Sequence, residues 1–208
     1  MKQIQWLMRI NKPLLFLISV GIGVFSWLGW SYYDRRYPSW YEEVQLSDGR
    51  VITVHQKREY FDNYGTNQSW VTIDLPELGG RQIWHSYLMP MRVDVIDGVV
   101  FVVGRPRGPK QMAFYGYPKM HLVAFRWSDG VLSRIPLSSV PTSILSEENI
   151  YSCLFRAKSD LLSHEAKLKN WCPPSGERGQ FAKKIDMGEY KRHADAMAAL
   201  ANWKNRSE

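Results

Sequence analysis

An uncharged run from Leu14 to Tyr33, apolar through most of Leu14 to Trp30, constrains this chain more than any other feature. A hydrocarbon layer about 30 Å thick is crossed by about 20 helical residues, each rising about 1.5 Å, and the run has that length. Pro13 suits the first helical turn, where its missing N–H leaves nothing unpaired. Trp27, Trp30, Tyr32 and Tyr33 close the stretch with amphipathic rings that favour the headgroup zone, so they are read as membrane-interface anchors. The expectation is a transmembrane helix over residues 14–33 in contact with the lipid bilayer. The competing reading is a cleaved signal peptide, with Lys2, Arg9 and Lys12 as its basic region and Val24-Phe25-Ser26 before the cut. The absence of an Ala-x-Ala site and the bulk of Trp27 and Trp30 weigh against it.

Three basic residues precede the span and two, Arg35 and Arg36, follow it. By the positive-inside rule this small bias places the N-terminus in the cytoplasm, which in a Gram-negative cell puts the larger C-terminal part in the periplasm and the anchor in the inner membrane. Ser19 and Gly23 form a small-xxx-small pair on which a second helix can seat, so a homodimer is one expectation.

The net charge of +7 invites a nucleic-acid reading, but its distribution argues otherwise. Residues 31–155 carry 13 basic and 13 acidic side chains, and the surplus lies at the two ends of the chain. Nucleic acid is therefore not an expected partner. A hydrophobic fraction of 45% is enough to bury a core.

After a linker at residues 34–41 the pattern changes from helix to strand. Val44 to Leu46 and Val51 to Val54 flank Ser47-Asp48-Gly49-Arg50, a hairpin signal. Val93 to Ile96 and Val99 to Val103 flank Asp97-Gly98, the strongest turn signal in the chain, and His121 to Trp127 leads through Ser128-Asp129-Gly130 into Val131-Leu132. Trp70 to Leu75, broken by Pro76 to Gly80 before Gln82 to His85, adds a fourth pair. The expectation over residues 42–141 is an antiparallel β domain of about eight strands, built as a β-sandwich or a strongly curved sheet. Residues 142–208 are expected to be helical and packed on it, with one helix from Leu161 to Trp171 and an amphipathic one from Glu189 to Lys204. The fold class is thus mainly β with C-terminal helices behind an N-terminal transmembrane helix and a basic segment at residues 1–13.

The search for chemistry returns little. The five histidines are at least 29 positions apart, no metal-ligand spacing occurs, and no phosphate loop, nucleophile elbow or zinc-protease motif is present. No catalytic residue, metal or cofactor is assigned, and the enzyme question stays open, leaning to no. A site assembled from scattered residues such as His85, His121 and Asp94 is the alternative. Cys153 and Cys172 form one disulfide if the domain lies in an oxidising compartment, and are two thiols otherwise. Arg105, Arg107 and Lys110, followed by Phe114, Tyr115 and Tyr117, form the one basic and aromatic loop, a candidate for binding an acidic partner, a lipid headgroup or a glycan.

The run Tyr41-Glu42-Glu43-Val44-Gln45-Leu46-Ser47-Asp48-Gly49-Arg50-Val51-Ile52, continued through Trp127 to Pro136, resembles a group of uncharacterised proteobacterial single-span envelope proteins with a β-rich extramembrane domain. The resemblance covers about half of the chain. It implies a shared scaffold and a bacterial envelope setting, and it carries no catalytic residue onto this sequence. The expected function is that of a binding, structural or protective partner of another envelope protein. A tethered envelope hydrolase or modifying enzyme, and a glycan or lipid-headgroup module, are the alternatives.

Overall fold

The computed structural model describes residues 12–61, 65–118, 120–128, 130–145, 147–152 and 160–169. The chain divides between Tyr37 and Pro38 into two compact units. The first contains α1 (Lys12–Arg36), 25 residues and therefore about 37 Å long at 1.5 Å per residue. It is long and apolar enough to cross a membrane, and nothing in its apolar window from Leu15 is buried. Trp27, Trp30, Tyr32 and Tyr33 are all exposed. Its end coincides with Asp34-Arg35-Arg36 and the approach to Pro38, which restricts the residue before it to extended backbone.

The second unit is mainly β. Eight antiparallel strands run from β1 (Ser39–Gln45), β2 (Val51–Phe61), β3 (Gly65–Leu75) and β4 (Gly80–Ser86) to β5 (Met89–Ile96), β6 (Val99–Arg105), β7 (Val123–Ser128) and β8 (Val131–Ile135). A two-residue β9 (Leu161–Leu162) pairs in parallel with β1. They form two open sheets, in the orders β4-β3-β2-β1-β9 and β5-β6-β7-β8, with no closed barrel.

All four expected hairpins form. At the tightest of them Ile96 faces Val99 across Asp97 and Gly98, both in the left-handed region (φ 51° and 73°), the backbone that a two-residue turn needs to match strand twist. Between β3 and β4, Pro76–Leu78 makes a single 3-10 turn that ends on Gly79 at φ 83°. β2 and β3 are both longer than the strands expected, and they pair with each other. Residues 55–60 look polar and loop-like in sequence, yet they continue β2, with Gln56 and Arg58 taking the inward positions that follow Val54.

One core cluster draws on both sheets: Val44, Val54, Val71, Ile73 and Trp84 from the first, Val93, Val95, Val100, Val102 and Val123 from the second. A second cluster, with Met89, Met91, Phe101, Val103 and Ala124, is covered by Leu122, Val140 and Ile144. Alternation along β6 and β7 separates the two clusters, and on β5 a bulge does so. Pro90 faces Gly104 and Arg92 faces Val103, so Met91 is the extra residue, and the strand changes face from Met91 to Val93.

Polar groups fasten the segment after β8 to the sheets. Glu42, Gln56, Arg58 and Lys167 are buried together. Lys167 Nζ lies 3.3 Å from Glu42 Oε2 and donates to the Asn149 carbonyl at 2.7 Å, while the Tyr151 N–H donates to Glu42 Oε2 at 2.8 Å. Gln56 also donates to Glu42, and Arg58 to the Tyr151 carbonyl, with its guanidinium 5.1 Å from the Trp40 ring centroid. Burial pushes the Tyr151 phenol well above its ordinary value.

These contacts correct the helix expected from Leu161 to Trp171. Its start pairs as β9, and among the described residues the helix α3 covers His164–Lys169 (the intervening helix, Pro109–Phe114, is α2). Lys167 faces inward to the Glu42 carboxylate, and Leu168 is exposed. Cys153, Cys172, the basic residues before Lys12 and the stretch from Glu189 to Lys204 lie outside the described residues.

Candidate functional site

Strand alternation gives the five-stranded sheet an inner and an outer face, and the outer one is unusually rich in rings. Lys57, Trp70 and His85 face one another across β2, β3 and β4. The Trp70 and His85 rings stack at 4.7 Å and 2°, and Lys57 Nζ lies 5.4 Å from the Trp70 centroid. The neighbouring row is Tyr41, His55, Thr72 and Ile83, in which the Tyr41 and His55 rings lie 4.7 Å apart. Beyond β4 the rings continue: Tyr87 lies 6.3 Å from His85 and 5.2 Å, edge to face, from Phe114 on α2. Tyr41 is 53% exposed, Ile83 45%, Tyr87 41% and Phe114 66%, so the stripe is open to solvent around the half-buried His55 and Trp70.

The two imidazoles are held in place by polar neighbours. His55 Nε2 lies 2.6 Å from Ser39 Oγ, and partial burial, with Arg81 and Lys57 nearby, lowers its pKa. Partial burial lowers that of His85 as well. His85 Nε2 lies 2.9 Å from Gln68 Oε1, Gln68 donates to Glu59 Oε2 at 2.6 Å, and Asn67 donates to the same oxygen at 2.8 Å. Glu59 is thus a buried strand residue that orients the His85 ring through Gln68.

The 4.7 Å stacking distance equals the spacing of adjacent strands, so the Trp70 and His85 planes stand across the sheet and turn their edges outward. A sugar stacks on an open ring face. Here the faces are largely taken by neighbours, and the exposed ring edges, hydroxyls and Ile83 suit a protein surface better.

The basic and aromatic loop is ordered by one side chain. Gln111 accepts from Arg107 N–H at 2.5 Å and Gly108 N–H at 3.2 Å and donates to the Thr66 and Asn67 carbonyls, tying α2 to β3. Arg105 ends β6, and Lys110, Phe114 and Tyr117 are exposed. Tyr115 is buried instead. Its hydroxyl lies 2.5 Å from Ser86 Oγ, and its carbonyl accepts from Arg134. Of the loop residues, Phe114 joins the aromatic stripe.

His85, His121 and Asp94 lie on different elements. Asp94 is buried in the other sheet, where Ser47 and Arg92 occupy its oxygens at 2.6–3.1 Å, and His85 shares neither partner. His121 lies in the turn before β7 at φ 50°, not in a strand. Among the described residues no group of three metal-ligating side chains occurs. An apolar groove of about 640 Å³ beside β7 and β8 is lined by Met120, Leu122, Ile135 and Leu137, with Arg134 as its charged residue, and offers no acid–base pair.

Sequence reading missed both the aromatic face and the buried polar cluster. The signal for the face was present as outward alternation at Tyr41, His55, Lys57, Trp70, Ile83 and His85, but it became readable only once the register of β2 was known. No family model, curated protein or solved structure matches this chain.

Proposed function

We propose that this chain is a single-span protein of the bacterial inner membrane, with its N-terminus in the cytoplasm and its β domain in the periplasm. The β domain, its two sheets packed as a sandwich, binds another envelope protein. The observation that carries this reading is the group of outward-facing rings on the five-stranded sheet, in two neighbouring rows, Tyr41 with His55 and Trp70 with His85, the second continued by Tyr87 and by Phe114 of α2. Aromatic side chains bring large contact area at low entropic cost, and contiguous exposed apolar surface marks interaction sites. The helix supports the anchoring, since α1 is long and apolar enough to cross a bilayer.

Two measurements test the reading. A reporter active only in the periplasm, fused after Glu208, is expected to be active, and a cytoplasmic readout overturns the placement. Affinity purification of the full chain from membranes is expected to recover a specific protein. The triple variant Tyr41→Ser, Tyr87→Ser, Phe114→Ser is expected to lose that protein at unchanged expression. Equal recovery by both overturns the assignment of the face.

A further inference from the structure

Two of the long strands at the sheet margins, β1 and β5, have their outer sides covered. The outer edge of β1 takes β9 and the Asp160 carbonyl, and that of β5 takes the Asn149 and Ile150 N–H groups at Met91 O, with the Asn149 side chain on Val93. The edge of β4 is different. Its seven residues pair with β3 without a bulge, and their other side makes no main-chain hydrogen bond to any described residue. Natural sheets blunt such edges with proline, bulges or rows of charge. β4 contains no proline and a single charged side chain, Arg81. The edge of β8 is also open, but no row of rings runs up to it.

The rings make β4 the more informative edge. Lys57, Trp70 and His85 lie on three successive strands, so a strand laid beside β4 brings its own side chain to the next place in the same row. Tyr87 and Phe114 flank that place. In the rows alongside, Ile83 follows Thr72, and Arg81 follows Asp74. The outward side chains of β4 therefore read cation, aliphatic, aromatic at alternate positions.

Building on the proposed binding role, we infer that the free edge of β4 takes an extended segment of the partner as an added strand, with an acidic side chain beside Arg81, a β-branched one beside Ile83 and an aromatic one beside His85. Main-chain hydrogen bonds hold such a strand, and the alternate side chains select it. The arrangement also accounts for the polarity of the surface. Arg81 faces Asp74 on only one side, and an acidic residue on the other completes a cross-strand charge row.

The test uses the full chain in nanodiscs and a fluorescein-labelled peptide of seven residues, the length of β4, made in both sequence orders. It carries glutamate, valine and tryptophan at alternate positions, with threonine between them. Saturable binding is expected for one order, read by anisotropy. N-methylation of the alternate residues that bond to β4 is expected to weaken binding roughly tenfold or more, and N-methylation of the other set to leave it unchanged. Arg81→Glu is expected to weaken the glutamate peptide by roughly two- to fivefold, with recovery when lysine replaces glutamate. No saturable binding in either order, equal effects of the two N-methylation patterns, or an Arg81→Glu effect that ignores peptide charge overturns the inference. If the serine variant loses the membrane partner while the peptides fail, the edge inference alone falls and the sheet-face reading stands.

Discussion

The carboxamide of Asn149 does for Val93 what a neighbouring strand would do: it accepts from the Val93 N–H at 3.0 Å and donates to the Val93 carbonyl at 2.7 Å. The same Nδ2 donates to the Gln45 carbonyl at 2.8 Å, so one side chain joins the two sheets at the end of β1 and closes the edge of β5. Asn149→Leu removes both donors and the acceptor at similar volume without adding a charge. With Asn149 buried, stranding those carbonyls is expected to cost about 2 kcal/mol and to lower Tm by roughly 4–8 °C, measured by circular dichroism.

Lys167 and Glu42 form a buried pair, 2% and 0% exposed. Removing one partner leaves an uncompensated charge, so Lys167→Met is expected to destabilise by roughly 3–5 kcal/mol. The double variant Lys167→Met, Glu42→Gln is expected to be less destabilised than the sum of the two single changes. Urea unfolding of all four proteins checks this, and simple additivity contradicts the coupling.

Gly104 in β6 is required by close approach rather than by backbone angle. A Cβ there would meet Leu88 Cβ at 2.9 Å and the Met89 carbonyl oxygen at 3.0 Å. Gly104→Ala is expected to cost about 1–3 kcal/mol through overpacking, read by thermal unfolding. Substitution at Gly108, where an added Cβ meets nothing within 4 Å, serves as the control.

His55 and His85 both have lowered pKa values in the folded protein, chiefly through partial burial. The unfolded chain then binds protons more readily, so stability is full above the ordinary histidine value of 6.5 and declines as pH falls below it. Tm measured between pH 8 and pH 5 is expected to be flat at first and then to fall. The double variant His55→Gln, His85→Gln is expected to have the shallower acid slope.

The legible part of this fold is the part in which local chemistry acts alone. The helix over Leu15–Arg36 follows from hydropathy and length, and the hairpin at Asp97-Gly98 from the backbone its two residues readily adopt. The reading failed where tertiary partners replace apolar residues. Gln56, Arg58 and Lys167 are buried because Glu42 and the carbonyls of Asn149 and Tyr151 receive them, and single-chain periodicity assigns such residues to the surface. That substitution hid half of β2, and the expected helix began too early, where Leu161–Leu162 pair as β9. The candidate face was hidden for a related reason. Trp70, His85 and Phe114 are 15 or more positions apart, and register rather than spacing brings them together.

The most direct test of the central claim is in-cell photo-crosslinking from single positions on the full-length, membrane-inserted protein. A photoreactive residue at Tyr41 or Tyr87, both exposed on the aromatic face, is expected to give one discrete adduct with the same envelope protein, and one at the exposed Val131 of the other sheet is expected to give none. Adducts from Val131 matching those from Tyr41 and Tyr87, or no discrete adduct from either ring position, contradict the account.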